Sequence, residues 1–336
     1  METARRPGRA APKRTVNGVL LLDKPGGMTS NRALQRVRHL FAAAKAGHTG
    51  TLDPMATGLL PVCFGEATKL SGYLLDASKE YLATACFGAT TDTGDREGQI
   101  LQRHSSKVEL QEASLCELLG SFVGPQQQIP PMYSALKWQG RRLHELAREG
   151  ITVERPPRDI VIHSLRLEGL APDGRKDCAV LRIRCSKGTY IRTLVEDIGA
   201  RLGTGAHLDQ LRRTQIDGFE DVRMVTLETL AQAAEGQSAE ALDHWLQPMD
   251  IGVRHLPAVL LEETDSIKFR HGQSLACPVA GDHNQVKNRD QIVEGVVRVY
   301  AKSQSDSCLP ILMGMGNVDS GRVLAPKRLM NTSSDG

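Results

Sequence analysis

Residues 47–58 read GHTGTLDPMATG, and the apolar run 59–62 follows at once. Gly and Thr at this density break a helix, so the spacing predicts a structured loop entering a strand or a short helix. The glycines at 47, 50 and 58 permit backbone conformations that other residues resist, while Pro54 biases Asp53 toward an extended backbone and fixes its direction. Such a loop can bring a carboxylate against a sugar or a phosphodiester. An Asp–Pro pair in a surface loop more often makes an Asx turn, and spacing alone leaves both readings of Asp53 open.

Working outward, residues 16–22 form a short apolar run ended by the turn-forming Lys24-Pro-Gly-Gly, which reads as a strand feeding a loop. A helix follows with Ser30 as its N-cap, Leu34, Val37 and Phe41 on one face, and Arg32, Arg36 and His39 on another. Tyr81, Ala83, Ala85 and Phe87 alternate along 79–87 as a half-buried strand does, 88–98 is a turn-rich acidic connection, and 109–119 has helical character. The stretch 124–148 begins Gln-rich, passes a double proline and ends as an Arg-rich helix. It reads as an inserted, partly mobile arm. Val180, Leu181, Ile183 and Cys185 flank Arg182 and Arg184 on a strand, a Lys187-Gly turn follows, and 190–202 has helical spacing. Beyond Pro248-Met-Asp250, short apolar pieces between polar turns predict a small β-rich module. The architecture is α+β, a large mixed domain with an insertion and a small β module.

The chain has 336 residues, 40% hydrophobic and 24% charged, which excludes a collagen or a wholly disordered chain and suggests about two domains. No stretch approaches the roughly 18 apolar residues of a membrane-crossing helix, so a membrane partner is not expected. A formal charge of +3 does not by itself declare a nucleic-acid partner; its distribution says more. Arg5, Arg6, Arg9, Lys13 and Arg14 crowd the start with no apolar core, which reads as a basic leader rather than a secretory signal. Seven scattered cysteines without a C-x-x-C read as reduced thiols in a cytoplasm, and neither His nor Cys falls at metal-ligand spacing. With no P-loop or dinucleotide fingerprint, no metal and no nucleotide cofactor are expected.

Other side chains invite chemistry. Tyr190 and Arg192 stand at the start of a helix after a strand, where Arg192 could meet an anion or pair with a carboxylate; a core tyrosine and a solvated arginine fit the same pattern. Tyr81, beside Lys79 and Glu80, could stack on a nucleobase or simply fill the core. Arg141 and Arg142, and again Arg212 and Arg213, could track phosphates, although such pairs are more often solvated.

The loop at 47–58 closely resembles the catalytic motif of the bacterial tRNA pseudouridine-55 synthases, the TruB family of RNA-modifying enzymes. GVLLLDKPGGMTS, GEATKLSGYLLDASKEY, FGATTDTGDREG, PPMYSALKWQGRRLHELAREG, CSKGTYIRTLVEDIGARLG, HLDQLRRTQIDGF and GMGNVDSGRVLAPKRL resemble the family in its order, over about residues 15–330. Two places depart: His144 stands where many relatives carry tyrosine, and 284–290 is idiosyncratic.

The resemblance implies the pseudouridine synthase fold: a central mixed, largely antiparallel sheet, an inserted thumb-like arm, and a small β-rich PUA-like C-terminal domain. With the disordered basic leader at 1–15 lying outside the resemblance, the chain divides into a catalytic domain at 16–250 with its insertion at about 124–152 and a PUA-like RNA-binding domain at 251–330. The activity implied is isomerisation of uridine 55 in the tRNA T-loop, without cofactor, by a monomer acting on the T-arm stem-loop. Asp53 matches the family's nucleophile. Tyr81 matches the tyrosine that stacks on the flipped base and is the favoured proton acceptor at carbon 5, and Tyr190 and Arg192 match the KGTYIRT pair. Among substrate contacts, Leu211 matches the apolar pocket residue and His48 the histidine that helps unstack the target; Lys24, Arg141 and Arg142 complete the expected set. As an ion partner, Arg192 is expected to keep Asp53 deprotonated. The competing expectation is an RNA-binding or RNA-folding module without essential catalysis. A uracil-releasing glycosidase is a third.

Overall fold

The computed structural model describes residues 13–104, 108–171, 173–220, 222–277, 294–302 and 309–331. Most of the basic leader and the stretch 284–290 lie outside the described residues. In chain order the elements are β1 (Gly18–Lys24), α1 (Ser30–Leu40), β2 (Ala46–His48), β3 (Thr57–Phe64), α2 (Ser71–Leu75), β4 (Lys79–Phe87), β5 (Ala89–Thr91), β6 (Ile100–Arg103), α3 (Glu112–Gly120), β7 (Gly124–Gln128), β8 (Lys137–Trp138), β9 (Arg141–Arg142) and α4 (Leu143–Arg148). Then come β10 (Arg158–Leu170), β11 (Cys178–Cys185), α5 (Ile191–Arg201), β12 (Ala206–Ile216), β13 (Val225–Thr226), α6 (Leu227–Ala234), β14 (Ala258–Leu261), α7 (Glu263–Arg270), β15 (Leu275–Ala276), β16 (Gly295–Ala301), β17 (Ile311–Val318) and β18 (Val323–Leu329).

A nine-stranded sheet runs β13-β1-β3-β12-β4-β11-β10-β7, with β2 added alongside β3. Only the β1–β13 and β3–β12 pairs are parallel, which makes the sheet mixed and largely antiparallel. Its centre is β4, whose alternation puts Tyr81, Ala83, Ala85 and Phe87 into one core with Val37 of α1, Leu115 of α3, Leu194 and Ile198 of α5 and Leu230 of α6. The opposite face carries Val19, Leu21, Leu59 and Cys63, which pack with Ile251, Leu312 and Met315. That second cluster seats the five-stranded sheet β14-β16-β17-β18-β15 against the larger one. Among the described residues, no helix is long and apolar enough to cross a membrane.

Three local expectations are corrected. Thr29, not Ser30, caps α1 by accepting from the Arg32 N–H; Ser30 is buried inside and has other partners. The Gln-rich stretch expected at the base of a mobile arm is the edge strand β7, in which Pro125 lies opposite Val161 of β10, and an edge is where a strand tolerates proline. Finally, Cys86 and Cys178 face one another across β4 and β11 and form a disulfide, their Cα atoms 4.2 Å apart. Strand register brings together two cysteines 92 residues apart, which no short spacing rule could find. For this pair the reduced-thiol reading fails, and with it the cysteine argument for a cytoplasmic setting.

Candidate active site

The loop at 49–56 is held from below by its own side chains, since Thr49 and the apolar Leu52, Met55 and Ala56 are all buried. Ser30 clamps it: its hydroxyl donates to the Leu52 carbonyl at 3.0 Å and accepts from the Leu52 N–H at 2.9 Å. Lys24 lies fully buried under the next turn, donating to the carbonyls of Pro25, Met28 and Pro54 at 2.8, 2.7 and 3.3 Å. Burial pulls its ammonium down to about 8. Of the three glycines, Gly47 sits in strand β2 without a left-handed backbone, whereas Gly50 and Gly58 have φ of 71° and 98°. Gly58 has no substitute, because a Cβ there would stand 2.2 Å from the Arg213 carbonyl of the paired strand.

This framework presents Asp53 to Arg192, two residues past the Tyr190 that opens α5. Arg192 Nε donates to Asp53 Oδ2 at 2.9 Å and Nη2 to Oδ1 at 3.2 Å, a bidentate pair. The guanidinium is 4% exposed and is fixed on its far side by the carbonyls of Thr93 and Tyr133, each at 2.8 Å. Asp95, buried behind it, stands 3.8 Å from Nε and is itself held by the Thr93 hydroxyl and the Glu97 N–H. Burial pushes the Asp53 carboxyl above its ordinary value; Arg192 pulls the other way and Asp95 adds to the push. Arg192 therefore opposes protonation of Asp53 against the push of burial. One turn along α5, burial pushes Glu196 up to about 7.

Strand register completes the site. Tyr81 lies opposite Ile183 of β11 and Arg213 of β12, and Leu211 lies opposite Ala83. Asp53, Tyr81, Tyr190, Arg192, Leu211 and Arg213 line a single cavity of about 270 Å³, close to the lower end of the roughly 300–1,000 Å³ typical of small-molecule sites. Burial raises the Tyr81 phenol, with Arg213 pulling it back, and raises Tyr190 likewise. Lys79 reaches the same cavity, donates to the Leu75 carbonyl at 2.7 Å and is pulled down by burial to about 8.

Four expected contacts lie elsewhere. Lys24 supports the loop from inside, and His48, on β2, leaves its Nδ1 buried without a hydrogen-bond partner while burial lowers its pKa. Arg141 and Arg142 are exposed on the β8–β9 hairpin, Arg141 paired with Glu149. The twin arginines 212 and 213 do not share one phosphate-facing surface: Arg212 pairs with Asp23 at 2.7 Å, whereas Arg213 is buried and donates to the carbonyls of Leu59 and Gly50. Neighbours on a strand point to opposite faces, and that alternation is the signal that separates them. Sequence reasoning also misses Asp95 and Lys79 as site residues; Asp95 falls in the quoted stretch FGATTDTGDREG, but its place behind Arg192 depends on which helix lands above it.

Comparison with known proteins covers nearly the whole chain. A model of the TruB family pseudouridylate synthase N-terminal domain matches residues 38–191. A tRNA pseudouridylate synthase B C-terminal domain matches 192–254, and a pseudouridine synthase II TruB C-terminal domain matches 257–330. The chain is 47% identical to the tRNA pseudouridine synthase B of Marinomonas sp. over 95% of its own length and 97% of that protein's. It is 48% identical to the protein of the same name from Azoarcus sp., over 97% and 99%. Among solved structures, a chain of a Cbf5-Nop10-Gar1 complex superposes with a TM-score of 0.68 at 25% identity, covering 93% of this chain and 84% of that one.

Proposed function

The chain belongs to the TruB family of pseudouridylate synthases, isomerases by reaction class, and on that premise we propose that it converts uridine 55 of the tRNA T-loop to pseudouridine with Asp53 as nucleophile. The observation that carries this reading is the bidentate Asp53–Arg192 pair opening on the same small cavity as Tyr81 and Leu211. Isomerisation breaks the bond from uracil N1 to the ribose, turns the base and re-bonds it through carbon 5, which then loses its proton; nothing is gained or lost overall. A carboxylate that adds to carbon 6 of the base or to the anomeric carbon serves either route. The target must leave its stack to reach Asp53, at a cost of a few kcal/mol that a loop lowers. In this reading the enzyme acts as a monomer on the T-arm of tRNA in the cytoplasm.

Burial keeps Tyr81 as the neutral phenol, so it takes the carbon 5 proton only as it passes on its own. Tyr81→Phe keeps the stacking ring and loses that relay: we expect tRNA affinity within about threefold of wild type and turnover lowered about a hundredfold or more. Near-normal turnover would leave Tyr81 as a platform alone. The arm supplies phosphate contacts in this reading. Replacing Arg141 and Arg142 together with Gln should flatten the salt dependence of tRNA binding by one to about two units of logarithmic slope, Arg142 counting for more because Glu149 already engages Arg141. An unchanged slope would take the hairpin out of the RNA path. The overall reading is tested with tRNA carrying tritium at carbon 5 of its uridines: one tritium released per T-loop is expected, and no release contradicts it.

A further inference from the structure

Gln128 ends β7 and is 4% exposed. Its carboxamide turns to the residue that opens α5: Oε1 accepts from the Tyr190 N–H at 2.8 Å, and Nε2 donates to the Tyr190 carbonyl at 3.0 Å. One side chain thus makes the two-bond exchange that a paired strand residue makes with its backbone. Tyr190 has the extended backbone of a helix N-cap but offers α5 no side-chain cap, so this exchange is what ties its main chain to the sheet edge.

The chain continues from Gln128 through Pro130 and Pro131 to Tyr133, whose carbonyl accepts from Arg192 Nη2 at 2.8 Å, and to Ser134, which lines the cavity. The first residues of the arm are therefore fastened at one end to the Tyr190 backbone and at the other to the guanidinium that grips Asp53. Two consecutive prolines keep the connection short of freedom. We propose that Gln128 is a positioning residue, holding Tyr190 and the first turn of α5 so that Arg192 meets Asp53 in register, and linking the arm's root to that pair. This rests on the reading that Asp53, Tyr190 and Arg192 serve the isomerisation.

The chemistry required at this position is narrow. Among side chains of this length, only an amide accepts and donates at once at every pH. Glutamate, when ionised, presents only acceptors to the Tyr190 carbonyl, but its protonated form has one acceptor and one donor in the same shape. Charged groups around this point are Arg158, opposite Gln128 on β10, together with Arg192 and Asp53. Arg158 favours the ionised form and burial the neutral one.

The test compares Gln128→Glu and Gln128→Met with wild type on a T-arm hairpin, reading kcat and KM between about pH 8.5 and about pH 5.5. At the upper end both variants should lose about ten- to a hundredfold in kcat with KM within about threefold, because a misplaced group costs rate more than binding. As pH falls, Gln128→Glu should regain activity relative to wild type while Gln128→Met does not. Rates are taken per hairpin-binding site, so partial unfolding of a variant does not enter. Wild-type kcat in Gln128→Met, a loss carried by KM alone, or a Glu-to-wild-type ratio flat in pH would overturn the proposal. Asp53→Asn, assayed alongside, separates the two levels: activity there overturns the reading of the site, whereas an inactive Asp53→Asn with an unaffected Gln128→Met overturns only the role of Gln128.

Discussion

Asp53→Asn is expected to leave less than about one per cent of wild-type turnover while tRNA affinity stays within about threefold. The amide is nearly isosteric and keeps an oxygen for Arg192, so the loop, clamped by Ser30 and Lys24 and not by the carboxylate, stays in place. What is lost is the second electron-rich oxygen and the charge that attacks carbon. Phosphate contacts dominate RNA affinity, and Asp53 makes none as an anion, so binding survives. A purified variant that turned over at several per cent of wild type would remove Asp53 from the nucleophile's role.

Arg192→Met should do more damage to the protein. It strips the buried partner from Asp53 and Asp95 together and frees the carbonyls of Thr93 and Tyr133. Breaking a buried ion pair from one side costs about 3–5 kcal/mol, and because about a third of the Asp53 side chain remains exposed the lower end, about 3 kcal/mol, is expected in urea unfolding. The pH dependence carries the sharper signature. Asp53 acts as the anion, and its folded pKa is already raised by burial, so activity falls as pH drops through that raised value rather than through the ordinary carboxylate value. Removing Arg192 removes the main opposing pull and moves the acid limb to still higher pH. An acid limb that stayed in place, measured on kcat over KM, would mean that Arg192 does not govern the ionisation of Asp53.

Much of this site is legible in the order of its amino acids, and the rest is hidden for physical reasons. The alternation of 79–87 marks β4 and the burial of Tyr81, since period-2 patterning is a local property of a half-buried strand. The Lys187-Gly turn and the helical spacing after it likewise mark the entry to α5 and so to Arg192. By contrast β7 has no apolar alternation, because an edge strand can be polar on its outer row, and GPQQQ reads as loop. Lys24 has the sequence setting of a surface turn residue; three backbone carbonyls that converge only in the folded chain make it an interior brace. Gln128 and the Cys86–Cys178 pair depend on contacts across 62 and 92 residues, set by register and topology.

The central claim, that this cavity isomerises the T-loop uridine around an Asp53–Arg192 pair, is tested most directly by a mass balance. An unmodified T-arm hairpin is incubated with the enzyme, digested to nucleosides and analysed together with the free bases in solution. The account predicts one pseudouridine gained for each uridine lost, at position 55, with no free uracil. Free uracil with an abasic site would show a glycosidase, and a hairpin bound but unaltered would show a binding module; either result contradicts the account.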